Sequence, residues 1–419
     1  MELSLPSFQF RFMAAGGNVI FPGNFHPVGS QAGARKMVEF TLADGKPEAG
    51  AGGRWLIVGG SGGFGSAARV ALACDHGAHT VNVSFDQQPN PDSNNKIRKI
   101  GSPGFHRNLA IEGELRKLDV QAFSYNADAF NPEQRAEILA DIKTKFAGEK
   151  FDGIVWALAA PKGLDPRTGK AVRSTLKPVG NTATVRTFAA PESDDGGAPI
   201  KEFNIDPGSP EEAINTIFVM GGQVVQAWVD DMLEADMLNT GATLLTISYR
   251  GNPLNSNMYR YGLIGLAKAD LEFVTKAVHA QLGEAVQGRA YAVEGPAVVT
   301  EASGAIPGVP LYMALIQDVM GEQFENPIKN MRRLFKEHIL GAEAPTLDEE
   351  DLIRMDNREL GEAVQAEMQK RFDALPVDAQ LDRALFESFM SEYQMTRGFG
   401  IEGVDYEAAF DTDAVCKAD

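Results

Sequence analysis

Three tyrosines, Tyr249, Tyr259 and Tyr261, fall within thirteen residues of a chain that holds eight, and Lys268 follows them. A phenol can donate a proton to an oxygen that gains negative charge as hydride is transferred nearby. A neighbouring ammonium favours the phenolate, lowers the tyrosine pKa and can hold a cofactor ribose. Lys268 is therefore the expected partner of whichever tyrosine acts. On residue type and spacing alone all three tyrosines stay open, since aromatics packed beside a cleft give the same pattern.

Hydride chemistry needs a bound dinucleotide, and the chain has a stretch suited to one. The short apolar run Arg54–Val58 leads into Gly59, Gly60, Ser61, Gly62, Gly63, Phe64 and Gly65, and a small-residue helical pattern follows at once. Glycines at a strand-to-helix turn let the backbone approach a pyrophosphate, whose charge sits at the helix N-terminus. The glycine pattern alone is weak, and its place between strand and helix strengthens it. A second strand, Thr80 to Phe85, ends on Asp86, where a carboxylate can bind the adenosine ribose hydroxyls. Gln87 and Gln88 come next, so a 2′-phosphate would meet Asp86 with no adjacent Arg or Lys. NAD(H) is therefore expected in preference to NADP(H). The competing reading has Asp86 only opening a turn before Pro89.

The elements that must position these groups alternate in type. Further strands are expected at Val120–Tyr125, Phe151–Leu158, Ala242–Ser248 and Ala290–Val299. Helices are expected at Gly65–Cys74, from the cap Asn131 to about Phe146, from Ser209 with a break at Gly221–Gly222, from the second half of the Tyr249–Asp270 segment to about Leu282, and from near Val309. This alternation implies a parallel sheet with right-handed crossovers, whose ligands lie outside the carboxyl ends of the strands. Gly59–Gly65, Asp86, Asp128 and Leu158–Ala160 all fall at that edge. The expected fold is α/β, a Rossmann-like doubly wound parallel sheet with an N-terminal flap, inserted loops and a helical C-terminal extension. The expected division is a flap over 1–50, a core over 51–325 with substrate-binding insertions at about 161–240, and a helical region over 326–419 packed on the core. A Pro/Gly/Asp-rich patch at 191–199 reads as irregular.

Composition narrows the function. The chain has 419 residues and a formal charge of −18, from 39 Lys plus Arg against 57 Asp plus Glu. So acidic a surface repels polyphosphate, which argues against a nucleic-acid partner. Two cysteines, Cys74 and Cys416, imply no disulfide framework, and the six histidines show no paired ligand spacing, so no metal is expected. The N-terminus lacks a secretory pattern and no run approaches about 18 apolar residues, so a cytoplasmic protein without a membrane span is expected.

The spacing Tyr259-x8-Lys268 resembles the signature of the FabV-type enoyl-acyl-carrier-protein reductases and the related trans-2-enoyl-CoA reductases. The likeness covers nearly the whole chain. His26-Pro27-Val28-Gly29, Gly59 to Gly65, Phe85-Asp86 (where the family has Phe-Glu), Asp128-Ala129-Phe130, Leu158-Ala159-Ala160-Pro161 and Leu176-Lys177-Pro178 resemble family blocks. So do Ser248-Tyr249-x-Gly251, the run from Val299-Thr300 to Pro307, and Phe399 to Tyr406. The resemblance implies NADH-dependent saturation of the 2,3 double bond of an enoyl thioester, carried by CoA or acyl carrier protein. Hydride would go to the β carbon, Tyr259 would protonate or stabilise the enolate, and Lys268 would hold the ribose and tune the tyrosine. Tyr249 would touch the acyl thioester, with Tyr261 also at the substrate. Gly59 to Gly65, Phe85, Asp86, Asp128, Ala129, Leu158 and Ala159 would hold the cofactor, with Ala297, Val298, Val299 and Thr300 at the nicotinamide. The family is largely monomeric. Its C-terminal part is sometimes labelled flavin-binding, and no separate flavin fingerprint is found here.

The chain departs from the family around the tyrosine. Ser256-Asn257-Met258 stands before Tyr259 in place of an aromatic-Pro-Ile, Arg260 replaces a Trp, and Leu266 stands at a basic position. Tyr261-x6-Lys268 matches the spacing of the shorter-chain enoyl reductases and is the alternative acid. A same-fold reductase of another conjugated carbonyl compound, and a catalytically silent dinucleotide-binding protein, are the alternative functions. His26 has two readings, a group in the flap near the cofactor or a hydrogen-bonded turn histidine before Pro27.

Overall fold

In the computed structural model, residues 1–13, 19–193, 196–341 and 343–417 are described. Residues 14–18 of the expected flap and 194–195 of the Pro/Gly/Asp-rich patch lie outside them. Seven strands form the central sheet: β1 (Arg54–Val58), β2 (His79–Ser84), β3 (Ala122–Asn126), β4 (Phe151–Trp156), β5 (Leu238–Ser248), β6 (Arg289–Glu294) and β7 (Ile353–Arg354). Their spatial order is 3-2-1-4-5-6-7, and every neighbouring pair is parallel. The order reverses between β1 and β4, which opens a crevice at the carboxyl edge there.

Strand β1 shows why the sheet is covered on both faces. All five of its residues are buried. Successive side chains point to opposite faces, so Trp55 and Ile57 join one core while Leu56 and Val58 join the other. The first core is covered by helices α1 (Pro27–Leu42), α2 (Gly63–His76) and α3 (Pro103–Arg116). The second is covered by α4 (Pro132–Lys145), α6 (Gln223–Glu234) and α7 (Leu263–Val286); α5 (Pro210–Met220) precedes α6, with the break at Gly221–Gly222. A third core gathers Tyr259, Ala297 and Val299 with the Ala183–Phe188/Ala198–Ile205 hairpin, helix α8 (Val309–Met320) and the helices Glu362–Asp373 and Arg383–Met395.

The caps follow the sequence closely. Asn131 accepts from the Glu133 and Gln134 amides, and Ser209 forms a reciprocal capping box with Glu212. Four features differ from the sequence reading. Helices α1 and α3 lie where no helix was expected, because polar and small residues interrupt their buried faces: Gly29, Ser30, Gln31 and Thr41 stand among Ala34 and Val38, and His106 and Asn108 among Ala110, Ile111 and Leu115. Strand β6 ends at Glu294 rather than near Val299; Pro296 has no N–H to continue the ladder. Strand β5 starts at Leu238 rather than Ala242; helix α7 starts at Leu263, within the expected half of its segment, and Tyr259 and Tyr261 stand on turns ahead of it. In the 326–419 segment Ile353–Arg354 adds a strand to the central sheet, pairing Val293 with Ile353.

Candidate active site

The glycine turn is built by close approach. Gly59 has φ +91°, and its N–H donates to the Val83 carbonyl at 2.8 Å. A methyl group at Gly65 would lie 2.2 Å from the Gly59 carbonyl oxygen, so only glycine lets α2 start directly against the turn. The first turn of α2 carries no acidic side chain and its cap, Gly62, makes no side-chain hydrogen bond, leaving its N–H groups for an anion. These features fit a dinucleotide pyrophosphate.

Asp86 stands just past β2, half-buried, with its carboxylate held from the protein side. Ser84 Oγ donates to it at 2.8 Å and Ser102 Oγ at 3.2 Å. Burial raises its pKa, against the opposing pull of Ser84 and Arg107. Behind it lies a buried polar chain. Asn82 Oδ1 accepts from the Gly60 N–H at 2.9 Å while Asn82 Nδ2 donates to Ser84 Oγ at 3.1 Å. One side chain thus ties the glycine turn to the carboxylate. Phe85 is exposed at this edge. Asp128 spends its carboxylate on the Phe130 amide at 3.0 Å, and the Ala129 carbonyl accepts from Trp228 Nε1. A methyl at Gly59 would meet the Leu158 backbone at 2.8 Å, which places the loop carrying Leu158 and Ala159 against the glycine turn.

A cationic cluster that the sequence reading missed flanks this turn. Arg107 Nε donates to the Ser61 carbonyl at 2.6 Å and its Nη2 pairs with Glu301. Arg397 pairs with Glu301 at 3.2 Å. Arg107 lies on the unexpected helix α3 and Arg397 comes from 290 residues further on, so no local pattern could signal their meeting.

The tyrosines separate by environment. Tyr259 is 7% exposed and Tyr261 is 68% exposed. Tyr249 and Tyr259 meet edge to face, with ring centroids 4.9 Å apart. The Tyr249 hydroxyl accepts from Asn252 Nδ2 at 3.2 Å. Burial raises the pKa of both phenols, and Glu359 adds to it. Lys268, in the second turn of α7, is 8% exposed; burial lowers its pKa while Glu294 and Glu272 oppose the shift. A methyl at Gly265 would lie 2.3 Å from the Tyr259 carbonyl oxygen, so this glycine seats the tyrosine turn on the helix. Ala297, Val298 and Val299 are buried, and Thr300 reaches the glycine turn, its Cγ2 being 3.4 Å from where a Gly63 methyl would be. The family departures turn outward or to other partners: Leu266 is exposed, and Arg260 pairs with Glu272 at 3.4 Å. His26 caps α1, its Nδ1 accepting the Gly29 N–H at 3.1 Å, with its ring against Phe399, Tyr406 and Phe410.

Three family models match the chain: an NAD(P)H binding domain of trans-2-enoyl-CoA reductase over residues 17–91, a trans-2-enoyl-CoA reductase catalytic region over 99–340, and an enoyl reductase FAD binding domain over 347–409. The last segment does not fit a flavin. Between its strand Ile353–Arg354 and its helix Glu362–Asp373 stands a single glycine, the cap Gly361, and its interior is filled by Met368, Phe386, Phe389 and Tyr393. An enoyl-[acyl-carrier-protein] reductase [NADH] of Pseudomonas paraeruginosa is 35% identical over 93% of this chain and 94% of its own. One of Pseudoalteromonas atlantica is 33% identical over 92% and 94%. The crystal structure of Clostridium acetobutulicum trans-2-enoyl-CoA reductase in complex with NADH matches with a TM-score of 0.88 at 30% identity, covering 100% of both chains. That of Treponema denticola trans-2-enoyl-CoA reductase in complex with NAD matches at 0.81 and 30%, covering 97% of this chain and 98% of that one. With its parallel sheet, its glycine turn and its buried Tyr259 beside α7, the chain belongs to the trans-2-enoyl-CoA reductase and enoyl-acyl-carrier-protein reductase family.

Proposed function

We propose that this protein reduces the 2,3 double bond of enoyl thioesters with NADH, Tyr259 acting as proton donor or enolate stabiliser and Lys268 holding the cofactor ribose. The observation that carries the reading is a pair of polar groups left free. Tyr259 and Lys268 are both more than nine-tenths buried, yet among the described residues the phenol and the ammonium hydrogen-bond no protein atom. Neither polar tip is among the fully enclosed atoms without a partner, so both open to the cleft, where a ligand can complete them. Bound NADH supplies the hydride. Asp86 receives the adenosine ribose hydroxyls and disfavours a 2′-phosphate, while the glycine turn and Arg107 receive the pyrophosphate. Tyr259 meets the thioester oxygen as negative charge builds on it, and Tyr249 packs against the acyl group. Tyr261, on the solvent side, has no role in the chemistry on this reading.

Among the described residues no helix is long and apolar enough to cross a membrane. A cytoplasmic enzyme acting as a single copy on CoA or acyl-carrier-protein thioesters fits the expectations from composition and family. Crotonyl-CoA-dependent oxidation of NADH, followed by loss of reduced-nicotinamide absorbance, tests the assignment. Tight NADH binding with no turnover of any acyl thioester would move the reading to a different conjugated carbonyl substrate, which the altered residues Met258 and Arg260 beside Tyr259 favour as the second choice.

A further inference from the structure

Glu359 comes from the C-terminal part of the chain, yet it lies in the site. It is 1% exposed, and among the described residues no Lys or Arg pairs with it. Its Oε2 accepts the Ala297 N–H at 2.6 Å and its Oε1 accepts the Tyr312 hydroxyl at 2.6 Å. Gln365 Nε2 closes the cluster, donating to the Tyr312 oxygen at 3.2 Å and to the Glu359 carbonyl at 2.8 Å. The carboxylate also lines a cavity of about 10 Å³ with Pro296, Glu325 and Arg358, room for roughly one water. The half-exposed Arg358 brings that cavity to the surface and is itself paired with Glu325 at 2.7 Å.

We propose that Glu359 is a positioning residue for the reduction: it anchors the 297–300 loop and, by holding or releasing a proton, sets how readily Tyr259 stabilises charge on the thioester oxygen. The proposal rests on the enoyl thioester reading above. Burial without a cation pushes Glu359 up to about 7, so both forms are populated near neutrality. The titratable and charged groups around it are Tyr249 and Tyr259 from the 249–262 turns, Tyr312 from α8, Asp356 from its own segment, and Glu325 and Arg358 across the cavity, which pair with each other. As a carboxylate, Glu359 opposes negative charge on both phenols and on an enolate oxygen beside them. When Oε1 takes a proton from water, Tyr312 turns its own O–H away and accepts from Oε1, the opposition ends, and Oε2 keeps the Ala297 N–H. The reduction should therefore speed up as pH falls through about 7.

The test is kcat at saturating NADH and crotonyl-CoA from pH 6 to 8.5, for the wild type, Glu359→Gln and Glu359→Asp. The wild type should lose about tenfold in kcat on raising the pH, the effect of one pKa unit of interaction. Glu359→Gln, which still accepts from Ala297, should stay at the low-pH wild-type rate throughout. Glu359→Asp should keep a step. Glu294, pushed up to about 8 on the Lys268 side, titrates in the same range. A step that survives unchanged in Glu359→Gln therefore belongs to another group and overturns the proposal, as does a uniform loss of rate with the profile kept. An infrared band of a protonated carboxylic acid, lost above about pH 7 in the wild type and missing in Glu359→Gln, gives a readout without turnover. If the wild type reduces no acyl thioester, the substrate assignment fails. The band then decides for Glu359, and its absence overturns the proton-holding role.

Discussion

Gly65→Ala should separate cofactor binding from folding. The added methyl would sit 2.2 Å from the Gly59 carbonyl oxygen, 2.8 Å from its carbon and 2.9 Å from the Gly60 Cα. Ordinary carbon–oxygen contact is about 3.2 Å, so the turn or the start of α2 must move by roughly 1 Å, an overpacking cost of about 1–3 kcal/mol. The strain falls on the N–H groups proposed to receive the pyrophosphate. Charged against cofactor affinity at 1.4 kcal/mol per tenfold, it predicts an NADH Kd weakened about 5- to 150-fold. Fluorescence titration with NADH, read beside thermal melting, is the assay. Gly113→Ala is the control: this glycine sits inside α3 with nothing within 4 Å of an added methyl, and it should stabilise the protein by about 0.5–1 kcal/mol while leaving NADH affinity alone. An NADH Kd for Gly65→Ala within twofold of the wild type would refute the argument that this close approach shapes the cofactor turn.

Two further outcomes follow from buried charge. Asp86→Ser removes the carboxylate that a 2′-phosphate would face, worth about 1–4 kcal/mol for two unit charges near 4 Å; the NADPH-to-NADH ratio of kcat/KM should rise at least about fivefold, and an unchanged ratio would show that Asp86 does not discriminate. His106 is fully buried and held neutral, its pKa brought down to about 4 mainly by burial, while its Nε2 contacts the Ile100 carbonyl at 2.6 Å. The unfolded chain takes up that proton below about 6.5 and the folded chain only near 4, so stability should fall as pH drops across that window, by roughly 3 kcal/mol from this group. Urea unfolding at pH 7 and pH 4.5 checks it, and equal stabilities would contradict the assignment.

Much of the site is legible in local patterns because each signal sits within a few residues. The Arg54–Gly65 turn, the acid after β2, and the caps Asn131 and Ser209 all depend on neighbours in sequence, and they fold as read. Helices α1 and α3 escape because periodicity is blind to buried faces interrupted by glycine, histidine and asparagine. Their starts were nevertheless written in His26-Pro27 and Ser102-Pro103, each a cap followed by a proline at the first helical position. Groups that meet across hundreds of residues leave no such trace. Arg397 reaches Glu301, and Glu359 reaches Ala297, only once the third core brings the C-terminal helices against α8. The choice between Tyr259 and Tyr261 was open for the same reason. Spacing to Lys268 allows either, and the difference between a buried and an exposed ring is a tertiary fact.

The central claim is that the buried phenol at 259 serves the chemistry. The Tyr259 hydroxyl has no protein partner among the described residues, so Tyr259→Phe leaves no orphaned group and should fold as the wild type does. Crotonyl-CoA-dependent NADH oxidation by Tyr259→Phe and Tyr261→Phe, measured side by side, tests it most directly. Tyr259→Phe should show a kcat lower by about 10²–10⁴-fold, the usual worth of a positioned acid, and Tyr261→Phe a rate near wild type. Full activity in Tyr259→Phe, with loss in Tyr261→Phe, would contradict it.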